Sequence, residues 1–322
     1  MGPAANARGE KGHLMTESIQ TAERPKRGLK WAFVGPSGLR AGWGVALFIA
    51  IVVACRFALV AVLHAVHFHA PKSDPSLIDP TSTMFQDGLI SAILLIATLL
   101  AAQIERRPLA ELGLSLKNAL PRFIQGLIVG VAAMCAEIGL LLACKGITLG
   151  QIVLHGSDIW MFGGQWALAF LLVGVAEELA FRTYLQQTLA RGLNFRWSAL
   201  VMGVLFLAAH AFNAGETPIG LISVFLAALV FTLSVWRTGT VWWAIGFHAA
   251  WDWTQSFVFG VADSGHPSVG ALMTATPMGP AWLSGGSTGP EGSLLDLAVL
   301  LVVAGVIMVT LRTPDQKLDL KW

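Results

Sequence analysis

Charge is what this sequence has least of. Asp, Glu, Lys and Arg make up 12% of its 322 residues, against 55% hydrophobic, where a soluble protein carries about 25% charged residues. Water is therefore not its main solvent. The formal net charge is only +2, and the basic residues are dispersed, which excludes the concentrated basic surface of a nucleic-acid-binding domain. No nucleic-acid partner is expected. Cysteine is rare as well: Cys55, Cys135 and Cys144 fall in apolar stretches without Cys-x-x-Cys spacing, so they read as small packing residues rather than thiolate metal ligands. The sequence lacks His-Glu-x-x-His and Gly-x-Gly-Asp, which removes the common helical zinc motif and the aspartyl intramembrane motif. Gly35-Pro36-Ser37-Gly38 matches a Gly-x-Ser-Gly serine motif by letters only, because Pro36 denies it a helix-mounted nucleophile. No cleavable leader is evident, since the first apolar stretch begins about forty residues in and is too long for a signal core.

What is abundant is long hydrophobic runs of roughly 18 to 25 residues, enough to cross a bilayer core about 30 Å thick at 1.5 Å per helical residue. The expectation is an all-α polytopic membrane protein of about eight transmembrane helices, at 42–67, 87–104, 122–144, 162–190, 197–213, 218–236, 240–260 and 294–311. Residues 1–40 read as a basic cytoplasmic tail, 41–312 as the eight-helix transmembrane domain, and 313–322 as a cytoplasmic C-terminal tail. Breakers lie between spans: Pro71, Pro75 and Pro80 in one connection, and a Gly/Pro/Ser-rich run from Gly260 to Gly292 in another.

Lys and Arg favour the cytoplasmic side of short connections. The tail holds Arg8, Lys11, Arg24, Lys26, Arg27, Lys30 and Arg40; the next connection has only Lys72. Arg106, Arg107, Lys117 and Arg122 follow the second span, Lys145 stands alone after the third, Arg191 and Arg196 follow the fourth, and Arg237 follows the sixth. The fifth and seventh connections have none, and Arg312, Lys317 and Lys321 close the chain. The alternation holds through eight spans and would fail for an odd number. It places both termini in the cytoplasm, with a bacterial cytoplasmic (inner) membrane as the expected home.

Ionisable groups inside spans cost about 2.5–3.5 kcal/mol each at mid-bilayer, so they are usually paired or functional. Three sets stand at helical spacing: Glu177, Glu178 and Arg182 in the fourth span, Phe206 and His210 in the fifth, His248 and Asp252 in the seventh. Counted from the cytoplasmic ends, Glu177 and His210 come out at roughly 21 Å and His248 at roughly 16 Å, provided the fourth helix runs to Arg191. The three can then meet inside the bundle. Adjacent residues diverge by about 100° on a helix, so Glu177 and Glu178 should face different targets, whereas Glu178 and Arg182 at i,i+4 share a face. Glu178–Arg182 reads as a structural ion pair and Glu177 as the working carboxylate. Phe206 should restrict His210 and exclude water, and Asp252 should accept a ring N–H of His248 and fix its tautomer.

Glu-Glu-x-x-x-Arg, Phe-x-x-x-His and His-x-x-x-Asp, in order over 177–252, resemble the CPBP family of intramembrane proteases, which includes CAAX prenyl endopeptidases and Abi-type bacteriocin-processing or immunity proteins. Glu-Leu-Gly-Leu at 111–114 is also similar to a stretch that precedes the family's core, here expected at about 160–260. The resemblance implies an endopeptidase in which Glu177 and His210 activate a water, while His248 and residue 252 stabilise the oxyanion. The substrate would be a peptide or protein, lipidated in the CAAX case. CAAX-active members tend to have Asn where this chain has Asp252; an ionised Asp cannot donate a hydrogen bond, which favours a role in orienting His248 or in a metal site. Zn2+ is the one cofactor in question, with Glu177, His210 and His248 as its candidate ligands.

Blander readings stand beside these. His64, His67 and His69 have metal-like spacing at an interface where plain solvation suffices, and Arg56 and Glu137 are an option for pairing between the first and third spans. A transporter or proton relay would also place Glu, His and Asp across helices, although no internal repeat relates the halves. A non-catalytic immunity or scaffold protein on the same fold is the third reading.

Overall fold

The computed structural model describes residues 30–35, 38–71, 74 and 77–311. Most of the basic N-terminal tail, the Pro36-Ser37 pair, Lys72, Pro75 and the C-terminal tail with Arg312, Lys317 and Lys321 lie outside the described residues. The chain is mainly helical, as its composition predicts. Its principal helices are α1 Ala41–Ala65, α2 Pro80–Glu105, α3 Ala119–Ala143, α4 Ser157–Arg182, α5 Tyr184–Leu193, α6 Phe195–His210, α7 Pro218–Thr238, α8 Trp242–Asp252 and α9 Leu294–Thr310.

Local chemistry sets several boundaries. Asp79 caps α2 by accepting from the backbone N–H of Thr81 and Ser82 at 3.1 and 2.9 Å, with Pro80 at the first helical position. Thr217 and Pro218 start α7 in the same way, and Gly239 ends it at φ 74°, a left-handed conformation that glycine adopts without penalty. Asn194, at φ 118°, ends α5 and caps α6 through the N–H of Trp197.

Five helical stretches have the length and apolar composition to cross a membrane: Ala41–Ala65, Pro80–Glu105, Ala119–Ala143, Ser157–Leu193 and Pro218–Thr238. This is fewer than the eight spans expected. Helices do occupy all eight predicted stretches, but Phe195–His210 and Leu294–Thr310 have only 16 and 17 residues, and α8 has 11 before it passes into a π turn, Trp253–Val258. Sixteen residues span about 24 Å, less than the apolar core of a bilayer.

The fourth predicted span also differs from expectation. It bends at Thr183, where φ and ψ are −96° and −112° and the hydroxyl donates to the Leu179 carbonyl at 2.5 Å. Helix α4 therefore ends at Arg182, and α5 continues as a separate helix. The condition attached to the depth count is not met, yet the three sets of residues still converge.

Helix α8 is innermost: every residue from Trp243 to Asp252 is buried. It lies against α3 along glycines. A Cβ on Gly130 would stand 2.5 Å from the Phe247 carbonyl oxygen, and Cβ atoms on Gly126 and Gly246 would collide with the carbonyls of Trp243 and Phe123. Gly126 and Gly130 keep the small-xxx-small spacing that lets membrane helices approach closely. Outward-facing residues form an apolar belt: Phe57, Ile128 and Val302 are 71%, 64% and 67% exposed. Among the described residues no ion pair joins Arg56 to Glu137; Glu137 is fully buried beside Asp296 of α9.

At one end of the bundle the connections join. Strands β1 (Ile147–Ile152) and β2 (Met273–Pro277) pair antiparallel. Ile78 exchanges backbone hydrogen bonds with Pro267 and Val269. Asn213 donates to the Ser264 carbonyl at 3.0 Å, and Ser287 and Thr288 donate to that of Gly215. The 260–293 run, read from sequence as a string of breakers, is thus an ordered cap tied to the 66–79, 144–156 and 211–217 connections.

Candidate active site

Glu177 of α4, His210 at the last residue of α6 and His248 of α8 meet under this cap. Glu177 Oε1 lies 3.9 Å from His210 Nε2, and Oε2 lies 3.6 Å from His248 Nε2. Neither distance is a direct hydrogen bond, but a water can touch both partners across such a gap. His210 Nδ1 is 2.9 Å from the Phe206 carbonyl oxygen. That oxygen can only accept, so Nδ1 carries the hydrogen and the neutral ring presents the Nε2 lone pair toward Glu177. Phe206 also packs on the imidazole with ring centroids 4.6 Å apart, the contact expected from its spacing.

His248 stands among carboxylates. Asp252 Oδ2 is 3.6 Å from Nε2, too far for the direct hydrogen bond expected of it, and Glu178 Oε1 is 3.4 Å from Nδ1. Ionised carboxylates accept only, so both edges of the ring face acceptors. Its face stacks on Phe231 at 4.9 Å. Glu178 pairs with Arg182 at 3.2 Å, both fully buried, as expected. The guanidinium lies 4.3 Å from the Phe206 ring centre and 5.0 Å from that of Phe231, where the ring quadrupoles favour a cation.

One expectation needs correcting. Glu177 and Glu178 do share a target, because the His248 ring lies between them and offers one nitrogen to each. The 100° divergence of neighbours on a helix forbids a common atom, not a common ring.

Glu177, Phe206, His210, Phe231, His248 and Asp252, but not Glu178 or Arg182, line a cavity of about 370 Å³ inside the bundle. Its wall also holds groups that reading the sequence did not single out: Asp87 of α2, Asp263, His266 and Glu291 of the cap, and Asp296 of α9. Glu291 accepts from Ser264 N–H at 2.9 Å and from the Trp251 indole at 3.2 Å, fastening the cap to α8. Burial pushes the Asp263 carboxyl well above its ordinary range, and the neighbouring Asp252 and Glu291 carboxyls add to this. Burial raises Glu216, in the 211–217 connection, in the same direction. The position of Asp296 within an apolar span was the signal available for it; Glu291 and Asp263 sat in a run whose composition suggested nothing but turns.

The donor types around Glu177, His210 and His248 suit zinc. Among the described residues no group of three His, Cys, Asp or Glu side chains is disposed to hold one ion, and the Glu177 oxygens are divided between two histidines. His64, His67 and His69 likewise form no metal cluster.

Long apolar helices around an internal Glu/His site define an integral membrane protein whose polar groups are gathered inside the bundle. Residues 159–254 match the family described as Type II CAAX prenyl endopeptidase Rce1-like, in agreement with the resemblance carried by the three motifs. The matched stretch runs from α4 to the start of the π turn and contains Glu177, His210, His248 and Asp252. This similarity supports intramembrane protease activity of the CAAX type. No curated protein matches the chain.

Proposed function

We propose that the protein is an intramembrane endopeptidase in which Glu177 and His210 activate the attacking water. The supporting observation is the placement of Glu177 between two imidazole nitrogens, at 3.9 and 3.6 Å, on the wall of a cavity inside the helix bundle. A water held between Glu177 and His210 gives up a proton as its oxygen attacks the peptide carbonyl carbon. The carbonyl oxygen becomes an oxyanion and accepts from His248, whose ring Asp252 and Glu178 hold in place. The proton then passes to the departing nitrogen, the C–N bond breaks, and a carboxylate and an amine leave. Arg182 and Phe206 are positioning residues in this scheme.

The reading extends to eight membrane passages with both termini cytoplasmic in a bacterial inner membrane, and to a lipidated CAAX-type or a bacteriocin-type peptide substrate. Zinc held by Glu177, His210 and His248 is the competing proposal. Purified protein incubated with fluorogenic lipidated and unlipidated peptides tests the function: cleavage that is abolished in Glu177→Gln supports it. Proton flux in liposomes without cleavage would replace it with a relay. Dialysis against a chelator separates the two protease schemes, because the water-activating dyad keeps its rate and a zinc enzyme loses it.

A further inference from the structure

The cavity wall is one-sided. Its residues from outside the helices, among them Ile78, Asn213, Ser264 and His266, come from the 66–79, 211–217 and 260–293 connections. None comes from the 106–118 connection or from the turns at Asn194 and Gly239, at the other end of the bundle. The end of the bundle whose connections border the cavity is also the one poor in Lys and Arg: those connections contain only Lys72 and Lys145, against Arg106, Arg107, Lys117, Arg191 and Arg196 near the opposite end. Positive charge marks the cytoplasmic side.

The lining has a sign as well. Asp74, Asp87, Asp263, Glu291 and Asp296 join Glu177 and Asp252 on the wall, against His210, His248 and His266, and among the described residues no Lys or Arg lines it. Asp296 is fully buried, with Oδ2 accepting from Ser223 and its carboxyl beside that of Glu137. Carboxyl groups crowded in a low-dielectric space repel one another, and an entering cation relieves that repulsion. Between them stand apolar and aromatic walls, Phe170, Phe231, Phe247 and Trp251, which suit apolar side chains and the face-on approach of a cation.

Resting on the protease reading above, we infer that the site is entered from the extracytoplasmic face and takes a peptide segment with a basic residue beside apolar ones. Its substrates are then exported peptides or outward-facing segments of membrane proteins, rather than chain ends presented from the cytoplasm.

Two measurements test this. In intact cells, a membrane-impermeant maleimide should label Ser264→Cys above the background of the parent chain and leave Lys117→Cys unlabelled; in inside-out vesicles the pattern should invert. The opposite pattern overturns the inference. In detergent, the full chain should bind a fluorescent Leu/Lys peptide about 10-fold or more tightly than its Leu/Glu counterpart at low salt, falling severalfold at high salt as screening shortens the reach of the carboxyls. Asp87→Asn should narrow the preference. Equal binding of both peptides overturns the charge selection. Outward labelling and basic preference without cleavage of either peptide would leave this inference standing and remove the protease reading.

Discussion

Helices α1 and α8 are both apolar, yet they do opposite work. Of the 25 residues in α1 only Gly44 and Phe48 are buried, so its side chains form an outer, lipid-facing surface. In α8 every position from Trp243 to Asp252 is buried, against a partner so close that glycine is required on both sides. Hydrophobicity alone does not distinguish them. The difference lies in small residues and in the few polar groups that a buried helix must satisfy, and these polar groups belong to the proposed site.

The sharpest way to break this contrast is to unpair the buried charges. Arg182→Ala leaves Glu178 in the interior without its guanidinium partner and with only the His248 ring beside it, where breaking such a pair costs about 3–5 kcal/mol; the yield of folded protein in detergent should collapse. Glu178→Gln should lose folded protein too, and the surviving fraction should also turn over more slowly because Glu178 touches His248. Full specific activity in that fraction would return Glu178 to a purely structural role.

Glu177→Gln keeps shape and removes the proposed base, so turnover should drop about 100-fold or more with the melting curve little changed. His210→Ala should match it, and the double variant should be scarcely worse than either, because residues acting as a unit are non-additive. An additive double variant would separate their roles. Gly246→Leu forces a side chain into the Phe123 carbonyl, and overpacking of this kind costs about 1–3 kcal/mol, readable as a lower unfolding temperature.

Asp252→Asn keeps the contact with His248 but removes its charge, and the lost charge-assisted interaction should slow turnover by about 10-fold. A faster Asn variant would assign residue 252 to the oxyanion instead. The smallest effect belongs to α1: Val53, 45% exposed, and Val60, 55% exposed, should tolerate Leu within about 0.5 kcal/mol. A large loss there would mean that α1 packs against a neighbour.

The contrast also marks how far the sequence could be read. Glu177, His210 and His248 were legible because ionisable groups in apolar helices are costly, and i,i+4 spacing gave Glu178–Arg182 and His248–Asp252 directly. The bend at Thr183 was not legible, since nothing in Phe-Arg-Thr-Tyr forbids a continuous helix; the Thr183 hydroxyl turning back to Leu179 and tertiary packing make it. The cap was hidden for a different reason. Its order comes from hydrogen bonds to connections about 50 to nearly 200 residues away in the chain, such as Asn213 to Ser264 and Ile78 to Pro267, and long-range pairings leave no local pattern for composition or periodicity to show.

The π turn at Trp253–Val258 has a mechanical consequence. A π turn closes over five residues where an α turn closes over four, so deleting one residue there can restore an ordinary helical turn. Everything upstream, with Gly246 against Phe123 and His248 beside Glu177, keeps its phase, and only the cap beyond Phe259 shifts relative to it. The molecule has in effect a slip joint between the wall that carries the chemistry and the cover above it, so the cover can change length without retiming the wall.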